Sequence, residues 1–404
     1  MTATLNGHRG TNRKSATREH VVQVATLEAV APSCLLPGPV ALAPRVTAAF
    51  HEPIMYHRAD EFLPLFERVR GRLSAMVGGK PAAMLVGSGT LANDAVAATL
   101  RADPQADNGL SLVTGEFGGR LLKQANRWGL RPRVLNWDWG HAWHLDEVEA
   151  TLKTMPSGGW IWGTHHETST GVLNDLPGLV ALAKKYGQRV IVDCVSSMAT
   201  VPVDLSGVYL GTGASGKAIG SYAGIAFVFA NPSDLAHLDA GNIPTYFDIS
   251  AALTTTGPRF TVPSPLIRAL DAALDVFASP ESLAARLRHI AELGKYMRNR
   301  LIDAGFEPMA PAAIANPSIV TFAPPQGMST AAFVAMCRAW GYLVAGQSGY
   351  LAERNYVQLA VMGCVTRSDI DPLLDRLATM NDYTSRGREW DIVPARSASK
   401  GNSR

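Results

Sequence analysis

Lys217 lies in the run Leu210-Gly-Thr-Gly-Ala-Ser-Gly-Lys217-Ala-Ile-Gly220, downstream of the apolar run Arg189-Val-Ile-Val-Asp193, which ends in an acid. A lysine amine on a Gly/Ser-rich turn can be held close to a bound aldehyde, and a carboxylate at a strand end can pair with a protonated ring nitrogen. Together these are the needs of pyridoxal phosphate. Upstream, Val86-Gly-Ser-Gly-Thr-Leu-Ala92 follows a strand-like run and opens a helix-like one. Its glycines let the backbone approach an anion, Ser88 and Thr90 can donate from their hydroxyls, and a helix N-terminus favours negative charge. The segment reads either as a phosphate seat or as a glycine-rich turn with Thr90 capping the helix; Lys217 and Asp193 weigh toward the seat.

Residues so far apart in sequence meet only if a sheet gathers them. Strand-like runs occur at Ala82–Val86, Leu110–Val113, Arg133–Asn136, Trp160–Trp162, Arg189–Val192, Val208–Leu210 and Gly224–Phe229. Between them, Asp60–Met76, Leu91–Leu100, Gly118–Trp128, Leu145–Leu152 and Pro177–Lys185 carry helical spacing. This alternation predicts an α/β protein with a mostly parallel sheet, whose ligands sit at the strand ends. Further on, Leu266–Phe277 and Ser282–Ala304 read as long helices, and Ser318–Phe322 and Tyr342–Ala345 as strands. We divide the chain into a tail (1–30), a large domain (31–279), a smaller α+β domain (280–383) and a second tail (384–404).

With 404 residues, 47% of them hydrophobic, the chain can bury a large core and is no small binding module. Lys+Arg 37 against Asp+Glu 34, a formal charge of +3, is too even to imply nucleic-acid binding. Small-molecule partners are expected instead. Cys34, Cys194, Cys337 and Cys364 have no CxxC spacing, which argues against structural zinc or a disulfide framework and fits a reducing cytoplasm. No apolar run is long enough to cross a membrane, and the basic N-terminal residues lack the apolar core of a secretory signal. The His141/His144 and His165-His166 pairs lack the spacing of a known metal site, so no metal is expected. His165 is expected to orient the loop it starts, and Trp137, Trp139 and Trp143 to pack or line an entrance.

Gly211-Thr-Gly-Ala-Ser-Gly-Lys217-Ala218 nearly spells the phosphate-binding loop of nucleotide hydrolases, a reading from another functional class. Position 218 decides against it, because magnesium needs a hydroxyl ligand there and alanine has none.

Thr164-His-His-Glu-Thr-Ser-Thr-Gly-Val-Leu-Asn174, Asp193-Cys-Val-Ser-Ser197 and Ala214-Ser-Gly-Lys217-Ala218 closely resemble motifs of the class V aminotransferases, fold-type I pyridoxal phosphate enzymes. Within that family the likeness is to the alanine-glyoxylate, serine-pyruvate and 2-aminoethylphosphonate-pyruvate branch. It runs in the family's order from Leu35-Leu-Pro-Gly-Pro39 through His57-Arg58 to about Met362-Gly363. The resemblance implies a homodimer with an amine and a keto acid as substrates. It makes Lys217 the lysine that bonds to the cofactor aldehyde, and Asp193 the partner of the pyridine nitrogen. Ser88, Gly89 and Thr90 would cradle the phosphate, and Thr168 would reach the ring oxygen. Val195 would pack under the ring and Phe117 stack on its other face. Thr261, in Arg259-Phe-Thr-Val-Pro-Ser264, matches a segment through which a neighbouring subunit gives a hydroxyl to the phosphate.

One departure from the family stands out. In Asn355-Tyr-Val-Gln358-Leu-Ala-Val-Met-Gly363, Gln358 occupies the place of the arginine that grips a substrate carboxylate in relatives. An amide has no charge and cannot replace a bidentate guanidinium. Either Arg354, Arg58, Arg120 or Arg259 compensates, or the substrate carries no carboxylate there. A lyase, racemase or decarboxylase on the same scaffold is the competing reaction class, and a retired binding or scaffold protein a further one.

Overall fold

The computed structural model describes residues 32–104 and 106–385. The two tails read from sequence, residues 1–30 and 384–404, lie outside the described residues but for the last helical turn. Seven strands form the central sheet: β1 (Ala82–Gly87), β2 (Gly109–Val113), β3 (Arg133–Asn136), β4 (Trp160–Thr164), β5 (Arg189–Asp193), β6 (Leu210–Ala214) and β7 (Gly224–Phe229). Their order across the sheet is β1-β7-β6-β5-β4-β2-β3. The five strands from β3 to β6 pair in parallel, while β7 runs antiparallel to both β1 and β6. The α/β expectation therefore holds, with one reversed strand.

Parallel strands covered on both faces read as continuous apolar runs, and side chains alternate between the faces. In β5, Val190 and Val192 join one buried cluster while Ile191 joins the other. The first cluster takes Phe62, Phe66, Val69 and Leu73 from α1 (Phe62–Ala75). The second takes Ala92, Val96 and Leu100 from α2 (Gly89–Ala102) and Leu121 and Ala125 from α3 (Glu116–Arg127). The helices α4 (Leu145–Leu152) and α5 (Leu176–Lys185) complete the crossovers before β5.

One expectation fails. The strand read at Val208–Leu210 instead runs Leu210–Ala214, through Gly211-Thr212-Gly213. Small residues are required there rather than turn-forming: a Cβ on Gly211 would meet the Leu205 side chain at 2.6 Å, and one on Gly213 the Met198 Sδ at 2.6 Å. The glycines are spaces left for neighbours in a strand buried throughout.

A third buried cluster begins with α7 (Pro280–Asp303), which follows α6 (Ser264–Leu274). Ser279 caps α7 by accepting from the Ser282 amide, and Ser282 returns the contact to the Ser279 amide. Leu293, Met297 and Leu301 of α7 pack on Val320 and Phe322 of β8 (Ile319–Phe322), Val357 and Leu359 of β9 (Val357–Ala360), and Phe333 of α8 (Thr330–Ala339). The antiparallel pairing of β8 with β9 sets Thr321 opposite Gln358. Gly294 is the point of closest approach, since a Cβ there would fall on the Pro317 carbonyl. Gly294→Ala is expected to destabilise the protein by about 1–3 kcal/mol through overpacking against backbone, read as a lowered midpoint of thermal unfolding.

Candidate active site

The site is built where strand register brings two strand ends level with the middle of a third: Thr164 of β4 pairs with Asp193 of β5, which pairs with Thr212 of β6. Asn93, one turn into α2, ties them together. Its Nδ2 donates to Asp193 Oδ2 at 2.8 Å and its Oδ1 accepts from Thr212 Oγ1 at 2.8 Å. The Val195 amide donates to Asp193 Oδ1 at 2.8 Å. Burial pushes the Asp193 carboxyl above its ordinary value, and the bonds from Val195 and Asn93 and the charge of Lys217 pull it back. Lys217 lies in the turn after β6; burial lowers its amine to about 8, Arg120 adds to that, and Asp193 opposes it. No helix opens after Lys217, so the nucleotide-loop reading also lacks its helix N-terminus.

A cavity of about 390 Å³ spreads in front of these groups, a size suited to a small molecule. Ser88, Gly89, Thr90 and Asn93 wall it from the start of α2, and Phe117, Arg120, Lys123, Gln124 and Arg127 from α3. Thr164, His166, Thr168, Asp193, Val195, Ser196 and Lys217 complete the lining. Thr168 Oγ1 donates to Ser196 Oγ at 2.7 Å, and Ser196 Oγ to the His166 carbonyl at 3.0 Å. Burial holds the His166 ring down to about 3, hence neutral; its Nδ1 faces the Ser196 carbonyl at 3.1 Å and its Nε2 has no partner. Gln124 Nε2 fixes the Thr90 carbonyl at 3.0 Å.

The cavity thus gathers Ser88, Gly89, Thr90, Phe117, Thr168, Asp193, Val195 and Lys217. Three other candidates lie elsewhere. Thr261 is exposed and borders a separate small pocket with Tyr246 and Phe260. Arg354 ends a short helix, exposed, its guanidinium 4.1 Å from the centre of the Trp139 ring. Gln358 is fully buried, and its Nε2 donates to the carbonyls of Thr168 at 2.6 Å and Ser169 at 3.2 Å and to Thr321 Oγ1 at 2.9 Å. Of the arginines weighed as compensation, Arg120 alone lines the cavity. Arg259 is held by Asp248 and the Thr245 carbonyl, and Arg58 by the Arg259 carbonyl. His165 does not reach the lining, while Trp137 and Trp143 are buried in the core. Among the described residues no group of three or more His, Cys, Asp or Glu could hold a metal ion.

Glu167 carries no signature of its own in the sequence. Its carboxylate, fully buried, accepts from the Phe117 amide at 3.1 Å, the Gly118 amide at 2.9 Å and Ser169 Oγ at 2.5 Å. It therefore caps α3 from another element and fixes the turn that presents Phe117 and Arg120. Asn93 was legible only as the residue one helical turn past Thr90. Gly38, from the Leu-Leu-Pro-Gly-Pro segment, leaves room for Lys217: a Cβ there would stand 2.8 Å from its Nζ.

The model of the family described as "Aminotransferase class-V" matches residues 44–350. The chain belongs to the class V aminotransferases. It is 30% identical over 375 residues to the 2-aminoethylphosphonate–pyruvate transaminase of Pseudomonas aeruginosa, covering 90% of this chain and 98% of the relative. Among solved structures, the alanine–glyoxylate aminotransferase of Nostoc sp. is similar with a TM-score of 0.78 at 26% identity, covering 90% of this chain and 99% of that one. The aspartate aminotransferase of Thermus thermophilus gives 0.77 at 25% identity, covering 86% and 99%.

This aminotransferase is accordingly a pyridoxal phosphate-dependent enzyme, and its residues fit that group. An amine and a carboxylate already oriented by two donors share one cavity with a hydroxyl-bearing helix start. At that start Gly89 has no room for a Cβ, which would lie 2.6 Å from the Val195 side chain. With the Lys217 amine near 8, the neutral, nucleophilic form grows as pH rises through that value rather than through the ordinary lysine range. The rate at which cofactor-free protein captures pyridoxal phosphate, followed by absorbance, is expected to climb with a midpoint near pH 8.

Proposed function

We propose that this class V aminotransferase moves an amino group from an amine donor to a small keto acid, pyruvate or glyoxylate, in two half-reactions of ping-pong type. The observation that carries the reading is that Lys217 and Asp193 line one cavity together with Ser88, Gly89 and Thr90. Pyridoxal phosphate, when bound, supplies the electron sink for a carbanion formed next to the transferred nitrogen. Lys217 Nζ would hold the cofactor covalently at rest, and once displaced by the donor amine would take the proton from the donor's α carbon and return it at the cofactor carbon. Asp193 would pair with the protonated ring nitrogen, its carboxylate oriented by the bonds from Val195 and Asn93. Ser88, Gly89 and Thr90 would hold the phosphate, Val195 and Phe117 the two ring faces, and Thr168 the ring oxygen. Thr261 would complete the phosphate seat of a second copy in a homodimer, a role suited to an exposed hydroxyl outside its own chain's cavity. We assign the enzyme to the cytoplasm on its four free cysteines and take residues from Pro280 on as a smaller domain.

Substrate choice would run through α3 rather than β9. The Gln358 amide is committed to Thr168, Ser169 and Thr321, and Arg354 lies over the Trp139 ring outside the cavity lining. Arg120, Lys123 and Arg127 instead place three cations on the cavity wall, whose acid is Asp193. A donor whose anionic group is met by Arg120 fits this wall, and the relative from Pseudomonas aeruginosa is named for a donor bearing a phosphonate in place of a carboxylate. The purified enzyme should transfer nitrogen from 2-aminoethylphosphonate to pyruvate or glyoxylate better than from alanine. Ammonia released with no acceptor present would instead make it a lyase. Arg120→Gln is expected to raise the KM for anionic substrates roughly tenfold or more, the loss of one charged hydrogen bond. Gln358→Arg is accordingly expected to bring no gain in activity toward alanine, because position 358 faces the Thr168 and Ser169 carbonyls; a gain of roughly tenfold would return substrate choice to β9.

A further inference from the structure

Arg120 lines the cavity, yet 46% of its side chain is exposed, and an exposed guanidinium on a long stem has many directions to point. Within α3 it has one tether: its Nε donates to Glu116 Oε1 at 2.8 Å, one turn earlier. Among the described residues neither Nη nitrogen makes a hydrogen bond, so both are left for a ligand. A second hold comes from far along the chain. The guanidinium carbon lies 4.9 Å from the centre of the Phe117 ring and 5.8 Å from that of Tyr350, both within cation–π range. The two rings meet edge to face, their centres 5.9 Å apart and their planes at 73°, which sets the positive rim of one against the negative face of the other. Tyr350 thus touches the cavity's arginine and its aromatic at once without lining the cavity itself.

Tyr350 belongs to α9 (Gly349–Arg354), a helix too short to hold a ring in place unaided. Its neighbours supply the backing. Leu351 is fully buried. Asn355, in the left-handed conformation that ends α9, accepts from the Thr330 amide at 2.7 Å and donates to the Met328 carbonyl at 3.1 Å, which fastens the helix to the start of α8. The centre of the Trp139 ring lies 6.2 Å from that of Tyr350, and the Arg354 guanidinium covers Trp139 at 4.1 Å. The ring that meets Arg120 is therefore itself held, by a segment that leads into β9 rather than by α3.

We propose, on the reading that Arg120 meets the donor's anionic group, that Tyr350 is a positioning residue for substrate recognition: its ring holds the Arg120 guanidinium toward the cavity, so that the anion meets a cation already aimed at it. Ordering the arginine in advance removes a cost that binding would otherwise carry. The contact needs the aromatic face, and the phenol hydroxyl takes no part in it. Recognition of substrate charge is thereby shared between α3 and α9.

The test is calorimetric titration of the cofactor-loaded enzyme with ethylphosphonate, the donor's anionic group without its amine, beside steady-state kinetics with 2-aminoethylphosphonate and pyruvate. Tyr350→Leu should weaken ethylphosphonate binding roughly threefold or more and raise KM by the same factor while kcat is kept; Tyr350→Phe, which retains the ring, should match wild type. In an Arg120→Gln background Tyr350→Leu should add nothing, because the group it positions is gone. Tyr350→Met, which fills the space without a ring, replaces the leucine variant should that fold poorly. Ethylphosphonate binding that Arg120→Gln leaves unchanged would sink the reading of Arg120, and the role of Tyr350 with it. Binding lost in Arg120→Gln but intact in the ringless Tyr350 variants overturns the proposal alone. So does a double variant whose loss is the product of the two single losses, or a phenylalanine variant as weak as the leucine one.

Discussion

A carboxylate taken out of water must be met by donors, and at Asp193 the donors come from two directions. Asn93 reaches it from α2 and the Val195 amide from the residues just past the strand, while Asn93 also holds Thr212 in the neighbouring strand. The Asn93 bridge is possible because strand register brings Asp193 level with Thr212. The same bonds fix the first turn of α2, where Ser88, Gly89 and Thr90 stand, relative to the turn that carries Lys217. Removing the carboxylate would leave an amide and a backbone N–H buried without acceptors, and the amine beside them without its counter-charge.

Glu167 does for α3 what Asp193 does for α2. Both acids are buried and pushed upward by that burial, and both are kept in place by N–H donors. Their partners differ in kind. Asp193 orders groups around an amine, whereas Glu167 closes the exposed amides of a helix start and thereby sets the angle of Phe117 and Arg120. Arg120 then lies 4.9 Å from the centre of the Phe117 ring and bonds Glu116, so its direction is fixed before any ligand arrives.

Much of this was legible in the sequence, and the limits have physical causes. Apolar runs such as Arg189-Val-Ile-Val-Asp193 announced strands because both faces are covered, and the glycine- and hydroxyl-bearing start of α2 marked a segment that lines the cavity. The strand Leu210–Ala214 was misread because glycine signals a turn locally, while here it answers to Met198 and Leu205, which only tertiary packing reveals. Asn93 and Glu167 were missed because an asparagine in a helix and a glutamate in a two-residue strand have no spacing signature; each acts on an element far away in the chain. Gln358 was noticed through its departure from the family's arginine, yet its partners, Thr168 and Ser169, could not be read without the fold.

The Gln358 side chain crosses from β9 to the backbone of the loop that supplies Thr168 to the cavity. The region that packs on α7 is thereby fastened to the cavity floor by one amide, with Thr321 as a third anchor. Any rigid-body swing of β8 and β9 must either carry Thr168 with it or break these bonds, so motion in the C-terminal layer and the shape of the reaction chamber are mechanically linked. A substitution at position 358 would therefore loosen or shift that fastening before it touched any ligand.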